Sequence, residues 1–75
     1  MYWVMRRDAS MTGPGGYYTG MERSSGPYND SFTAQREAQS LNAQLGPAAR
    51  RQHINYAVLS DEQIEEARRN GITIY

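Results

Sequence analysis

The sequence predicts a small α+β domain: an antiparallel sheet with helices on one face, in the order ββαβα, closed by a short C-terminal strand. Three observations predict it. Residues Ser60 to Gly71 spell out a helix with both ends. Ala34, Ala38, Leu41 and Leu45 recur at spacings of four, three and four, which is one face of a second helix. Tyr2 to Arg7 and Ile54 to Leu59 are short runs rich in aromatic and β-branched residues, as strands are.

Tyr2 to Arg7 reads as the first strand, with Trp3 and Met5 pointing one way and Tyr2, Val4 and Arg6 the other. Residues 8–31 hold five of the seven glycines and two of the three prolines, so glycine-rich loops are expected there. Within them, Gly13-Pro14-Gly15-Gly16 fits a type II turn, because Pro14 presets the first central position and Gly15 tolerates positive φ at the second. Tyr17-Tyr18-Thr19 then reads as a short second strand ending at Gly20, paired with the first as a hairpin. Met21 to Asp30 reads as another polar loop.

Ser31 to Leu45 is the first predicted helix, with Thr33 or Ser31 as its N-cap and Phe32 stapled onto the first turn. Gly46-Pro47 stops it, and Ala48 to His53 is a basic connector. Ile54 to Leu59 is a strand with Ile54, Tyr56 and Val58 on one face. In the last helix Ser60 and Gln63 match a capping box, acids fill the first half, arginines the last turn, and Gly71 supplies the left-handed stop. Ile72 to Tyr75 alternates like a short edge strand. The expected core is Trp3 or Tyr2, Phe32, Leu41, Leu45, Ile54, Tyr56, Val58 and Ile64.

Seventy-five residues allow one domain, 1–75, with one small core. There is no cysteine, so disulfides and thiolate metal sites are excluded, and His53 is the single histidine. Such a core gains from self-association, and a homodimer through Trp3, Ile72, Ile74 and Tyr75 is expected. Net charge is zero, with eight basic and eight acidic residues, which argues against a dedicated nucleic-acid binder and against an acidic nucleic-acid mimic. No apolar run approaches a membrane span and the N-terminus does not read as a signal peptide, so a cytoplasmic protein is expected.

Catalytic patterns are missing. Glu65 and Glu66 are helix neighbours, on the order of 100° apart, and cannot work as an acid/base pair. The glycine-rich turn lacks the Lys and helix of a phosphate loop. The reading is a protein without enzymatic activity, cofactor or metal. Two features remain. Six tyrosines include Tyr17, Tyr18 and Tyr28 around the glycine-rich segment; tyrosine offers large contact area at low entropy cost and dominates interface hot spots. With Arg23 as a polar anchor, these are the candidate partner-binding residues. The bland alternative is half-buried sheet tyrosines. The second feature is Arg6, Arg7, Arg50 and Arg51 with His53, which could bind single-stranded nucleic acid by phosphate contact beside stacking aromatics. Its bland alternative is a solvated connector.

The opening Tyr2-Trp3-Val4, the Gly16-Tyr17-Tyr18-Thr19-Gly20 element, the Ser31-Phe32-Thr33-Ala34 start of an Ala/Gln/Leu-rich helix and the returning Asn55-Tyr56-Ala57-Val58 strand resemble the layout of small phage and prophage proteins, anti-CRISPR proteins among them. The resemblance covers residues 2–59. It implies a protein of the bacterial host cytoplasm that binds and blocks a host protein complex, of the defence type, by occupying its surface. RNA or single-stranded DNA is the alternative partner.

Overall fold

Val4 and Met5 are neighbours on one strand, and both are completely buried. Adjacent strand residues face opposite sides of a sheet, so both sides must be covered. The computed structural model describes residues 1–75 and shows how. Four strands, β1 (Tyr2–Arg7), β2 (Gly20–Tyr28), β3 (Asn55–Ser60) and β4 (Thr73–Ile74), form one sheet in the order β3-β1-β2-β4. Three helices accompany them: α1 (Ser31–Ala43), α2 (Pro47–Arg51) and α3 (Asp61–Arg69). The α+β class stands.

Two details of the expected layout are corrected. β1 pairs antiparallel with β2 and β3, but β4 joins β2 in parallel, so the sheet is mixed. And the helices do not share one face. α1 packs on Val4 through Ala34 and Ala38, with Tyr2, Tyr28, Leu41, Tyr56 and Val58 around them. Ile64 of α3 packs on Met5 and Met21, with Trp3, Leu59, Ile72 and Ile74 around them. The cause is connectivity. β2, β3 and β4 run in the same direction, so α1 and α3 are both crossovers between parallel strands. The first crosses the sheet toward β3 and the second crosses back toward β4. Crossovers of one hand that travel in opposite directions land on opposite faces.

β2 is the largest departure. Tyr17-Tyr18-Thr19 is not a strand; it contributes only an isolated bridge between Tyr18 and Thr12. The strand is the next nine residues, read from sequence as a loop. Gly, Ser and Pro give this segment little β-propensity, and pairing with β1 overrides it. The pairing is irregular: β2 uses an extra residue between the partners of Tyr2 and Val4, and another between those of Val4 and Met5.

Asp30, not Thr33 or Ser31, caps α1: its carboxylate accepts from the Thr33 amide at 2.9 Å and the Thr33 hydroxyl at 2.8 Å. That cap turns Phe32 away from the Ala34–Ala38 stripe, and it is 65% exposed rather than core. The basic connector contains a short helix, because Gly46-Pro47 both ends α1 and starts α2, with Pro at the first turn. α3 carries both capping-box bonds, Gln63 amide to Ser60 Oγ at 3.2 Å and Ser60 amide to Gln63 Oε1 at 2.8 Å.

Candidate partner-binding surface

The segment between β1 and β2 is built on two short 3-10 turns, Ala9–Met11 and Pro14–Gly16, and many of its polar groups are paired. Asp8 is its hub. The carboxylate is buried and accepts from the Ser10 hydroxyl and, at 2.9 Å, the Ser10 amide, while Arg6 lies 2.9 Å away. The Ser10 hydroxyl, with the Ser10 amide and Arg6 behind it, holds the Asp8 carboxyl below the usual range against the opposing effect of burial. Further along, the Thr12 hydroxyl donates to the Ala9 carbonyl at 2.7 Å and the Thr19 amide to the Met11 carbonyl at 2.7 Å. Gly15 has φ 85° and ψ 1°, and the Gly16 amide donates to the Gly13 carbonyl at 3.1 Å, the geometry expected of the type II turn. The Gly13 amide closes the turn onto the Tyr17 carbonyl at 2.8 Å.

This loop presents Tyr17 with 79% of its surface exposed. Tyr18 does the opposite. The Arg7 guanidinium lies 4.6 Å above its ring, and Asn55 Nδ2 donates to its hydroxyl at 2.9 Å. Arg7 also donates twice to Asn55 Oδ1, at 3.2 and 3.0 Å. Tyr18 therefore clamps the loop to the ends of β1 and β3.

Tyr28 lies at the far end of the sheet, opposite Tyr2. Its ring packs against the α1 cluster and its hydroxyl donates to Ser25 Oγ at 3.0 Å. Arg23 is exposed on β2, its guanidinium 4.8 Å above the Trp3 ring. Trp3 in turn donates its indole N–H to Asp61 at 2.8 Å. The structure thus brings Tyr17 and Tyr18 together at the Arg7 end of β1 and keeps Arg23 and Tyr28 apart from them on β2.

The arginines separate in the same way. Arg6 sits between Asp8 at 2.9 Å and Glu22 at 3.2 Å, and Arg7 is held by Asn55 and Tyr18. Arg50, Arg51 and His53 are exposed around the end of α2, where His53 adopts a left-handed φ of 56° and donates its amide to the Arg50 carbonyl at 3.0 Å. Trp3, Ile72 and Ile74, expected at a dimer contact, are half-buried and pack against Met5, Met21 and Ile64.

Two further aromatics are exposed: Phe32, expected as a staple in the core, and Tyr75, expected only at a dimer contact. Tyr75 is 68% exposed; its main chain pairs with Met21 and Arg23, and it borders a shallow depression with Ser10, Met11, Thr19 and Glu22. Only the pairing of β4 with β2 brings the chain end beside the loop, so no local signal reveals it. No helix is long and apolar enough to cross a membrane. Comparison with protein-family models, with curated proteins and with solved structures finds no match for this chain.

Proposed function

We propose that this chain is a non-enzymatic binding module that occupies a surface of a protein partner, with Tyr17 at the centre of the contact. One observation carries the reading: a tyrosine that is 79% exposed stands on a loop held by many hydrogen bonds of its own. A loop ordered before binding loses less entropy on binding, and tyrosine suits a hot spot. Tyr75 and Met11 line a depression with Ser10 and Thr19 of the same loop. Arg23 is a polar contact for the part of a partner that reaches β2. Tyr18 and Tyr28 support the loop and the α1 face from within. The phage-type resemblance supplies the biological side of the proposal: a protein of the bacterial cytoplasm that blocks a host defence complex by occupation.

The nucleic-acid reading retains Arg50, Arg51 and His53, which have no ion-pair partner. It loses the open sheet face on which tyrosines would stack bases, because α1 and α3 cover both faces. Capture of the partner from a bacterial lysate, followed by titration with Tyr17→Ala, tests the first reading. The substitution is expected to cost about 2 kcal/mol or more of binding with the thermal midpoint unchanged. Retained affinity in the variant refutes Tyr17 as the centre. Tight oligonucleotide binding that weakens steeply with salt and vanishes when Arg50 and Arg51 become Ala would replace the reading altogether.

A further inference from the structure

Strand β3 has a neighbour on one side only. Its sequence, Asn-Tyr-Ala-Val-Leu-Ser, has high β-propensity, no charge, no proline and no glycine. Such a segment on a sheet edge is a template for pairing with another chain. The usual protections, a lysine, a proline or a bulge, are missing from it, and its pairing with β1 is regular along all six residues.

The protection comes from the helices. Asn42, near the end of α1, takes the place of a strand neighbour: its Nδ2 donates to the Tyr56 carbonyl at 3.0 Å and its Oδ1 accepts from the Tyr56 amide at 2.9 Å. Both outward-facing main-chain groups of Tyr56 are thereby filled. Two rungs along, Gln63 of α3 accepts from the Ser60 amide at 2.8 Å. Between them only Val58 faces outward with its amide and carbonyl open. An antiparallel neighbour meets outward-facing residues at every second position. With both side chains in place it finds only the Val58 rung, about two hydrogen bonds.

We propose that β3 is a self-pairing edge closed by Asn42 and Gln63, and that its occupant, once both side chains are removed, is β3 of a second copy of this chain. A two-fold axis through Val58 pairs Val58 with its equivalent and Tyr56 with the other copy's Ser60. The groups it requires are those that Asn42 and Gln63 now fill. Charge selects the antiparallel arrangement. Arg50, Arg51 and His53 precede the strand, and Asp61 and Glu62 follow it. Antiparallel pairing sets the basic end of one copy beside the acidic end of the other, whereas parallel pairing sets like against like.

Sedimentation velocity over a concentration series compares the unaltered chain with a double variant, Asn42→Ala with Gln63→Ala. A dimer paired through β3 is expected in the variant at concentrations where the unaltered chain forms none through that strand. That dimer should weaken as salt rises and should protect the Tyr56 and Val58 amides from hydrogen exchange. A folded variant that stays monomeric overturns the proposal, as does a dimer that leaves those amides exposed or an unaltered chain that dimerises equally well. Should the variant fail to fold, exchange in the unaltered chain decides. The Tyr56 amide is expected to exchange about ten-fold or more slowly than the Val58 amide, and equal rates overturn the proposal.

Discussion

Gly26 shows how a single residue sets the shape of β2. Its φ is 124°, a region that side chains disfavour. A Cβ there would lie 3.1 Å from Trp3 Cε3 and 3.1 Å from the Tyr2 carbonyl oxygen. The ring could tilt, but the carbonyl belongs to β1 and cannot yield without disturbing the central strand. Gly26→Ala is therefore expected to lower stability by about 1–3 kcal/mol in denaturant unfolding. The indole that Gly26 admits is the one beneath Arg23 and bonded to Asp61, so the loss should also perturb tryptophan fluorescence. Tyr17 and Tyr18 make the complementary point. Adjacent and chemically identical, they have different tasks because only Tyr18 meets Arg7 and Asn55.

Among the elements, α3 is the one whose ends are written most fully in its own residues. Ser60 serves two structures, as the last residue of β3 and the N-cap of α3, and Gln63 returns the bond to the Ser60 amide. Ser60→Ala is expected to lower stability by about 0.5–2 kcal/mol, measured by thermal unfolding, because a first-turn amide loses its acceptor. A change near zero would mean that water replaces the hydroxyl at no cost. Helix α1 teaches the reverse. Its apolar stripe was legible, but its cap was not, since Asp30, Ser31 and Thr33 are all good capping residues. Choosing Asp30 rather than Thr33 moves the helix start and carries Phe32 from the core to the surface.

At the scale of the whole molecule, a slab of 33 × 32 × 16 Å holds two small cores that share β1. Three depressed carboxyls lie across it. Asp8 is held down chiefly by the Ser10 hydroxyl, Asp30 by the Thr33 amide, and Asp61 by the Trp3 indole and then the terminal ammonium. Each anchors a different part: the loop, the start of α1 and the start of α3. A carboxyl lowered by folding contributes stability that is fully present above its unfolded value, 3.8, and is lost as pH falls through its lower folded value. Stability is therefore expected to be flat with respect to these groups near neutral pH and to fall as acid is added below about pH 4. Denaturant midpoints measured from pH 7 to pH 2 check this, and Asp8→Asn should make the acid-side decline shallower.

What the residues determined alone was local. Periodicity marked α1 and α3, β-propensity marked β1 and β3, and the Gly13–Gly16 turn and the Ser60 capping box follow from groups a few residues apart. What only the tertiary structure decided depends on partners distant in sequence. β2 is a strand because β1 lies beside it, not because Gly20–Tyr28 favours extension. The helices divide between two faces because of the direction in which each crossover travels, which no window of sequence contains. The same holds for the candidate surface. Tyr17, Tyr18, Arg23 and Tyr28 were visible as residues, but their exposure was set by Arg7, Asn55, Trp3 and the α1 face. Propensity and capping act over one or two turns of chain, whereas burial is fixed only when the sheet has closed.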